Sequence, residues 1–335
     1  MVYDLRPFIQ WVLTEYEPTM RISPGHYRRS LGDEVHELYG TADMACVLFT
    51  LGALHPSESE RSCWIAAFDA FGETGTGQWL ERKPTHAPLH NTAFALAAMN
   101  LLGIVPTETP AFAKPFRPPE AIERMLDGLD WQNNVYGGSH RGAGLGAIFT
   151  LLPSLFSPDW FARYFARTDA LFDAANGMMG VDKPACGDWD QIGGTFHYAF
   201  LYEFFHRRMP FPQARVDAIL GLQQADGFWH PSNHYWLTLD AVYLLTRSVR
   251  FVPECSDAVA AAIGRCLRPL YERIMAPEKR DEIFFGRSDN RYHQLGVHQL
   301  TATLSVFAEA QRFLGDQDLI TDYPLRLVLD YRPFI

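Results

Sequence analysis

HNTAFALAAMNLLG, from His90 to Gly103, opens on two polar residues and continues as an uncharged helix of small and apolar side chains. The pattern recurs along the chain. YGTADMACVLFTLG starts at Tyr39, GGSHRGAGLGAIFTLL at Gly137 and IGGTFHYAFLYEFF at Ile192. NHYWLTLDAVYLLTR follows at Asn233 and YHQLGVHQLTATLSVFAEA at Tyr292. The starts lie roughly 40 to 60 residues apart, the period of paired-helix repeats.

Each of these segments is preceded by a helix with charge on one face only. These amphipathic segments are Leu5–Tyr16, Glu58–Phe71, Pro119–Trp131, Pro158–Asp173, Pro212–Gln224 and Asp257–Met275. Helix-start signals stand before several of them: Ser57, Pro118-Pro119, Ser157-Pro158 and Ser256-Asp257. Gly-rich turns with a nearby aromatic join the members of a pair, as at Gly72–Trp79, Tyr136–Gly138, Asn176-Gly177 and Asp226–Trp229. A helix touched on most sides tolerates Ala, Gly and Thr, whereas one with a wet face needs Glu, Arg and Lys there. The repeat therefore predicts an all-α chain: one (α/α)6 toroid over residues 1–335, a closed barrel of six outer and six inner helices. The Pro-rich stretch Val105–Pro119 reads as a surface loop within it, and the tail after Gly315 as the closure against the first helix.

A net charge of −10 argues against nucleic acid as the main partner. No apolar stretch is long enough for a membrane span, and the first residues lack the pattern of a signal peptide. Five scattered cysteines without a CxxC pair suit reduced thiols, so a cytoplasmic location is expected.

Gln223-Gln224-Ala225-Asp226-Gly227-Phe228-Trp229 resembles the Q-x-x-D/E-G-x-W repeat of the terpenoid cyclases. The superfamily also includes the protein prenyltransferase β subunits and is built on α/α toroids. The resemblance implies that fold, with Gln223 and Trp229 tying helices together. Asp188-Trp189-Asp190-Gln191 is similar to the D-x-D-D segment of class II cyclases, in which the middle Asp protonates an alkene or epoxide. By position Asp190 would be that acid; Gln191 stands where the family has a fourth-position Asp. The alternative for Asp188 and Asp190 is capping of the next helix, whose free N–H groups favour carboxylates. The Asp/Cys/His zinc pattern of the prenyltransferases and the Cys-His dipeptide of lanthionine-forming toroids are both missing.

If the inner helices run parallel, their starts meet at one mouth. Nine of the twelve histidines fall there: His36, His86, His90, His140, His197, His230, His234, His293 and His298. With them come Glu37, Tyr39, Asp43, Asn91, Arg141, Asp188, Asp190, Asn233, Tyr235, Arg291 and Tyr292. A polar, titratable mouth above an apolar bore points to a small-molecule site. No cofactor is expected. A divalent ion is the alternative, because His and carboxylate suit several such ions, although Pro88 and Pro231 interrupt the His86–His90 and His230–His234 spacings. Asp240 sits inside an apolar inner helix and must be either a structural partner or a buried acid/base; Glu203 raises the same question.

Three functions are therefore in play. The first is a cyclase-like enzyme, with Asp190 as proton donor, Asp188, His197, Asp240 and Tyr198 as further catalytic candidates, and Phe196, Trp236 and Tyr243 steadying cations. The second is a carbohydrate-active toroid with acid/base pairs and Trp platforms at Trp131, Trp189 or Trp236. A non-catalytic binding ring is the third. In each case Tyr39, His90, His140, Arg141, Trp189, His234, Trp236, Tyr292, His293 and His298 are the expected contacts to the small molecule.

Overall fold

Charge-rich and charge-poor segments both fold as helices, and they differ in how much of their surface they bury. The computed structural model describes residues 2–180, 186–287, 296–315, 318–331 and 334. It begins with α1 (Arg6–Trp11) and α2 (Glu17–Met20), joined by a π-helical turn at Val12–Tyr16. Then come α3 (Leu38–Thr50), α4 (Glu58–Asp69), α5 (Pro88–Leu101) and α6 (Pro119–Asp127). The middle of the chain forms α7 (Val135–Leu151), α8 (Pro158–Asp169), α9 (Asp188–Phe204) and α10 (Pro212–Gly221). After these lie α11 (Trp236–Ser248), α12 (Ser256–Met275) and α13 (Pro277–Phe284). The order ends with α14 (Val297–Leu314) and α15 (Val328–Tyr331). Strands are short: β1 (Tyr3–Asp4) pairs in parallel with β4 (Leu319–Ile320), and β2 (Arg21–Ser23) pairs antiparallel with β3 (His26–Tyr27).

Helices α3, α5, α7, α9, α11 and α14 are buried almost all round. In α5 every residue from His90 to Met99 is buried, and in α14 every residue from Val297 to Gln311. By contrast α12 buries a stripe at three- and four-residue spacing: Val259, Ala262, Ile263, Cys266, Leu267, Leu270 and Ile274. Neighbour relations among the buried helices are cyclic. α3 packs on α5, α5 on α7, α7 on α9, α9 on α11, α11 on α14, and α14 returns to α3. The amphipathic helices lie against this set: α4 on α3 and α5, α10 on α11, and α12 on α11 and α14.

The joining turns repeat one design. Glu73 N–H donates to Gln78 O, Asp173 N–H to Met178 O and Gln224 N–H to Phe228 O, each at 2.8 Å. Gly77, Gly177 and Gly227 take the positive-φ position of these turns. The next helix then anchors two of them: Trp79 N–H donates to Thr92 Oγ1 (3.1 Å) and Met179 N–H to Thr195 Oγ1 (2.9 Å). Gln223 Nε2 donates to Gly227 O and Ala262 O, both at 2.8 Å, and the Trp229 indole donates to Ile219 O at 2.8 Å. Both side chains have the tying role that the sequence predicts.

Two of the expected caps form, whereas Ser256 is the first residue of α12 and its N-cap, Cys255, makes no side-chain capping bond. Ser57 and Glu60 form a capping box, and Ser157 accepts from Trp160 N–H. Several boundaries differ from expectation. The outer segment predicted as Leu5–Tyr16 changes to π-helical winding at Val12. Helix α6 stops at Asp127, with the Trp131 indole donating back to Leu126 O at 2.7 Å. Asn233–Tyr235 precede α11 rather than opening it. The tail after Gly315 does return to the chain start: Tyr3 N–H donates to Asp318 O and Leu5 N–H to Ile320 O. It then crosses to the far ends of the buried helices, where Arg326 N–H donates to Thr50 O. No helix is long and apolar enough to cross a membrane among the described residues.

A Cβ on Gly227 would stand 2.4 Å from Arg265 O, and its φ of +92° already disfavours any L side chain. Gly227→Ala should lower the unfolding free energy by about 2 kcal/mol or more in urea titration. An alanine variant within 0.5 kcal/mol of wild type (roughly the range of neutral surface changes) would contradict this account of the turn.

Candidate functional site

Residues four apart lie on one face of a helix, and this spacing builds the site. At the first turns of the buried helices stand Tyr39 and Asp43 on α3, His90 on α5, and Tyr136 and His140 on α7. Gly193 and His197 occupy the same level of α9, Trp236 and Asp240 of α11, and His298 of α14. The histidines meet: ring centroids are 4.5 Å apart for His90–His140 and 5.2 Å for both His90–His197 and His140–His197. His86, just before α5, stacks on His90 at 4.7 Å and on Tyr39 at 4.5 Å. Pro88 does not separate the pair, because it is the first residue of α5 and leaves His86 in the preceding loop. Phe334 closes the group from within, with its ring 4.8 Å from His90 and 5.7 Å from His197.

Hydrogen bonds set the tautomers of two rings. Tyr39 Oη donates to Asn91 Oδ1 (3.2 Å) and lies 2.5 Å from His90 Nδ1, so Nδ1–H is the donor in that second bond. Ser139 Oγ donates to Tyr136 O (2.6 Å) and lies 2.7 Å from His197 Nδ1, with the same consequence. Both rings thus keep a lone pair on Nε2. His140 Nε2 is buried and has no hydrogen-bond partner among the described residues.

Burial, followed by the mutual repulsion of imidazolium charges, holds His90 and His140 far below the ordinary histidine range. His197 is pushed down to about 3, first by burial and then by His86 and His298. His298 is also lowered by burial, although Asp43 opposes the shift through contacts of 2.9 and 3.0 Å to Nδ1. Burial alone would raise Glu81, but His86, Arg29 and the Thr85 N–H carry it down to about 2. Asp240 has no such help. Burial raises its carboxyl far above the usual range, and Oδ1 has no partner among the described residues. Its other oxygen lies 3.4 Å from where a Gly193 Cβ would be, beside the Tyr136 ring that packs on His140 and His197.

The structure brings together Tyr39, His90, His140, His197, Trp236, His298 and Asp240; the Trp236 ring stacks on His298 at 4.0 Å. Other expected contacts lie elsewhere. Asp188, Trp189 and Asp190 are exposed on the first turn of α9, where the carboxylates suit the helix dipole. The Trp189 ring rests on His230 at 4.3 Å. Arg141 is exposed, turned away from the cluster by the 100° step from His140. His234 packs on Phe228 at 4.6 Å and contacts Arg273 Nη1 through Nδ1 at 2.6 Å. Tyr198 points out of the cluster, between Gly142, Trp131 and Tyr164. Glu203 is half-buried and pairs with Arg250 at 2.6 Å, so it is a structural partner. Tyr292 and His293, with Arg291, lie outside the described residues.

Tyr136, Ser139, Glu81 and Phe334 were not among the sequence candidates. For Tyr136 a signal existed, since Tyr136/His140 repeats the four-residue spacing of Tyr39/Asp43 and Trp236/Asp240. A cavity of about 1030 Å³ occupies the opposite ends of the buried helices, lined by Phe49, Glu203, Arg247, Glu309 and Asp330. Its central charges are paired: Arg247 holds Glu309 through two bonds of 2.7 and 2.8 Å, and Asp330 at 2.5 Å.

Comparison with family models, with curated proteins and with solved structures finds no match to this chain.

A carboxyl with a raised folded pKa stabilises fully below the unfolded value of 3.8, and the benefit is lost as pH rises toward the folded value. Gly193 and the Tyr136 ring, which lie against Asp240, supply no cation to reverse that sign. Asp240→Asn should therefore raise the melting temperature at neutral pH, and the gain should shrink as the pH approaches 4. A melting temperature that is unchanged or lower at pH 7 would mean that the carboxyl is stabilised in its ionised form.

Proposed function

We propose that the chain is an (α/α)6 toroid of the terpenoid-cyclase kind, and an enzyme that isomerises or cyclises a small, largely apolar molecule by acid–base chemistry. The cyclic order of α3, α5, α7, α9, α11 and α14 supports the ring, with the amphipathic helices outside it. The Gln223–Trp229 turn supports the likeness to the cyclases through its two tying side chains. The observation that carries the activity is Asp240, a buried carboxyl without a partner at Oδ1, on the same level as the histidines.

Asp240, kept neutral by its surroundings, is the proton donor, the role that the sequence pattern gave to the exposed Asp190. Protonating an alkene carbon leaves a carbocation on its neighbour and a carboxylate on Asp240. Ring faces such as Trp236 and Tyr136 stabilise that cation. His298 completes the cycle by accepting a proton from an adjacent carbon. Asp43 holds its Nδ1 side, so Nε2 is the basic atom, and the imidazolium formed is balanced by the Asp43 carboxylate. The double bond has moved, and proton return from His298 to Asp240 restores the enzyme. The second reading, a carbohydrate-active ring, is favoured by one observation: the exposed Trp189 beside His230 offers a flat platform at the rim.

In heavy water, linear isoprenoid olefins should give products carrying one solvent deuterium at the protonated carbon, detected by mass spectrometry. Asp240→Asn should lower turnover by at least about 100-fold, the scale of a lost general acid, while Asp190→Asn stays near wild type. Turnover lost in Asp190→Asn and kept in Asp240→Asn would reverse the assignment. Turnover of uronate oligosaccharides to unsaturated products, with none of the olefins, would favour the second reading.

A further inference from the structure

We infer that His90, His140 and His197 form a binding site for a divalent transition-metal ion, with an open coordination position. Each ring offers one nitrogen, and these atoms all lie within 4.8 Å of one another. An ion at the centre of such a triangle would be at most about 2.8 Å from each nitrogen. Zinc–imidazole bonds are about 2.0–2.1 Å, so each ring needs to approach by about 0.7 Å or less. Adjustments of that size are within reach of the imidazole torsions.

The surroundings match those of metal ligands. Ligating imidazoles donate their other N–H to an oxygen that fixes the ring. His90 has Tyr39 Oη in that place and His197 has Ser139 Oγ, and both hydroxyl protons are already committed elsewhere. The Nε2 lone pairs are therefore free of the tautomer that would block them. His140 Nε2, buried without a partner, is an acceptor or donor that an apolar core would not leave unmet. Three imidazoles and no thiolate suit zinc, cobalt, nickel, copper or iron, and exclude a calcium or magnesium cage, which is built from oxygens. Three protein ligands leave a fourth tetrahedral position for water or a polar group of the substrate, the arrangement of catalytic rather than structural sites.

The ligands come from three helices packed side by side, His90 in the first turn of α5, His140 in the second of α7 and His197 in the third of α9, so the site exists only when α5, α7 and α9 are packed. The inference goes beyond the acid–base reading, which assigns the proton steps to Asp240 and His298. Metal binding is measured without substrate, so either idea can fail while the other stands.

The full-length chain, stripped by chelator and dialysed, is titrated with cobalt(II) chloride and followed by visible absorption. The expected result is one equivalent bound, with the intense bands of a four-coordinate ion, and loss of those bands when zinc is added. His140→Gln should abolish the bands. Ser139→Ala should weaken binding by about 10- to 100-fold, the usual effect of losing an outer partner. His55→Ala, an exposed histidine remote from the cluster, should bind as wild type does. Circular dichroism identifies any variant that fails to fold; in that event His90→Gln and Ser139→Ala decide the matter. A pale, six-coordinate spectrum, binding weaker than millimolar, or bands that persist in a folded His140→Gln or His90→Gln variant would overturn the assignment.

Discussion

The close approach of α7 to its two neighbours is the constraint on which the rest of the structure depends. On one side a Cβ at Gly144 would lie 3.0 Å from Leu89 O on α5. On the other, a Cβ at Gly142 would overlap the Tyr198 hydroxyl at 1.9 Å, and one at Gly194 would meet Val135 at 2.7 Å. At Gly144 and Gly194 the neighbouring backbone itself stands 3.0–3.1 Å away, and at Gly142 the space is taken by the Tyr198 hydroxyl, so a side chain at any of the three would push its neighbour aside. The consequence appears one turn away, where His90, His140 and His197 share a single small volume. Larger residues at those positions would spread the helices and the imidazoles together. The small-residue composition of the charge-poor segments is therefore what gathers the site, as well as what permits their burial.

The two ends of the buried helices treat charge differently. At the far end, Arg247 is buried with bidentate Glu309 and with Asp330, so each charge has its counterpart. Such networks are costly to break and chemically quiet. At the near end, polar groups are buried with capacity left over: Asp240 Oδ1, His140 Nε2 and the Trp236 indole N–H have no partner among the described residues. Native folds keep few such atoms, and a group of them around one point costs stability that packing elsewhere must offset. Those unmet polar groups mark this end as the candidate site, although the cavity of about 1030 Å³ lies at the other.

Much of the fold was legible in the sequence. Five of the charge-poor segments begin within a few residues of their predicted starts, and α8, α10 and α12 begin within one residue of theirs. Legibility followed from period: charge on one face and small residues throughout are local properties that a chain displays directly. The site was only half legible. Histidine enrichment at the helix starts marked the end where the imidazoles meet, but side-chain direction and depth along the helix decided membership. Asp190 and His197 lie seven residues apart on one helix, the first exposed at its start and the second buried two turns further in. Tyr198, next to His197, faces outward to Trp131. Motif likeness drew attention to Asp190, whereas burial singles out Asp240. The partners Ser139 and Phe334 depended on contacts 58 or more residues away in the chain, which no local pattern carries.

Helix packing brings three imidazoles from α5, α7 and α9 to one point. The most direct test of this convergence is an anomalous difference map from crystals of the cobalt-loaded protein. The map should show one strong peak about 2.0–2.2 Å from nitrogens of His90, His140 and His197, with the three helices packed through Gly142, Gly144 and Gly194. A peak held by other residues, or three histidines too far apart to share one ion, would contradict the claim.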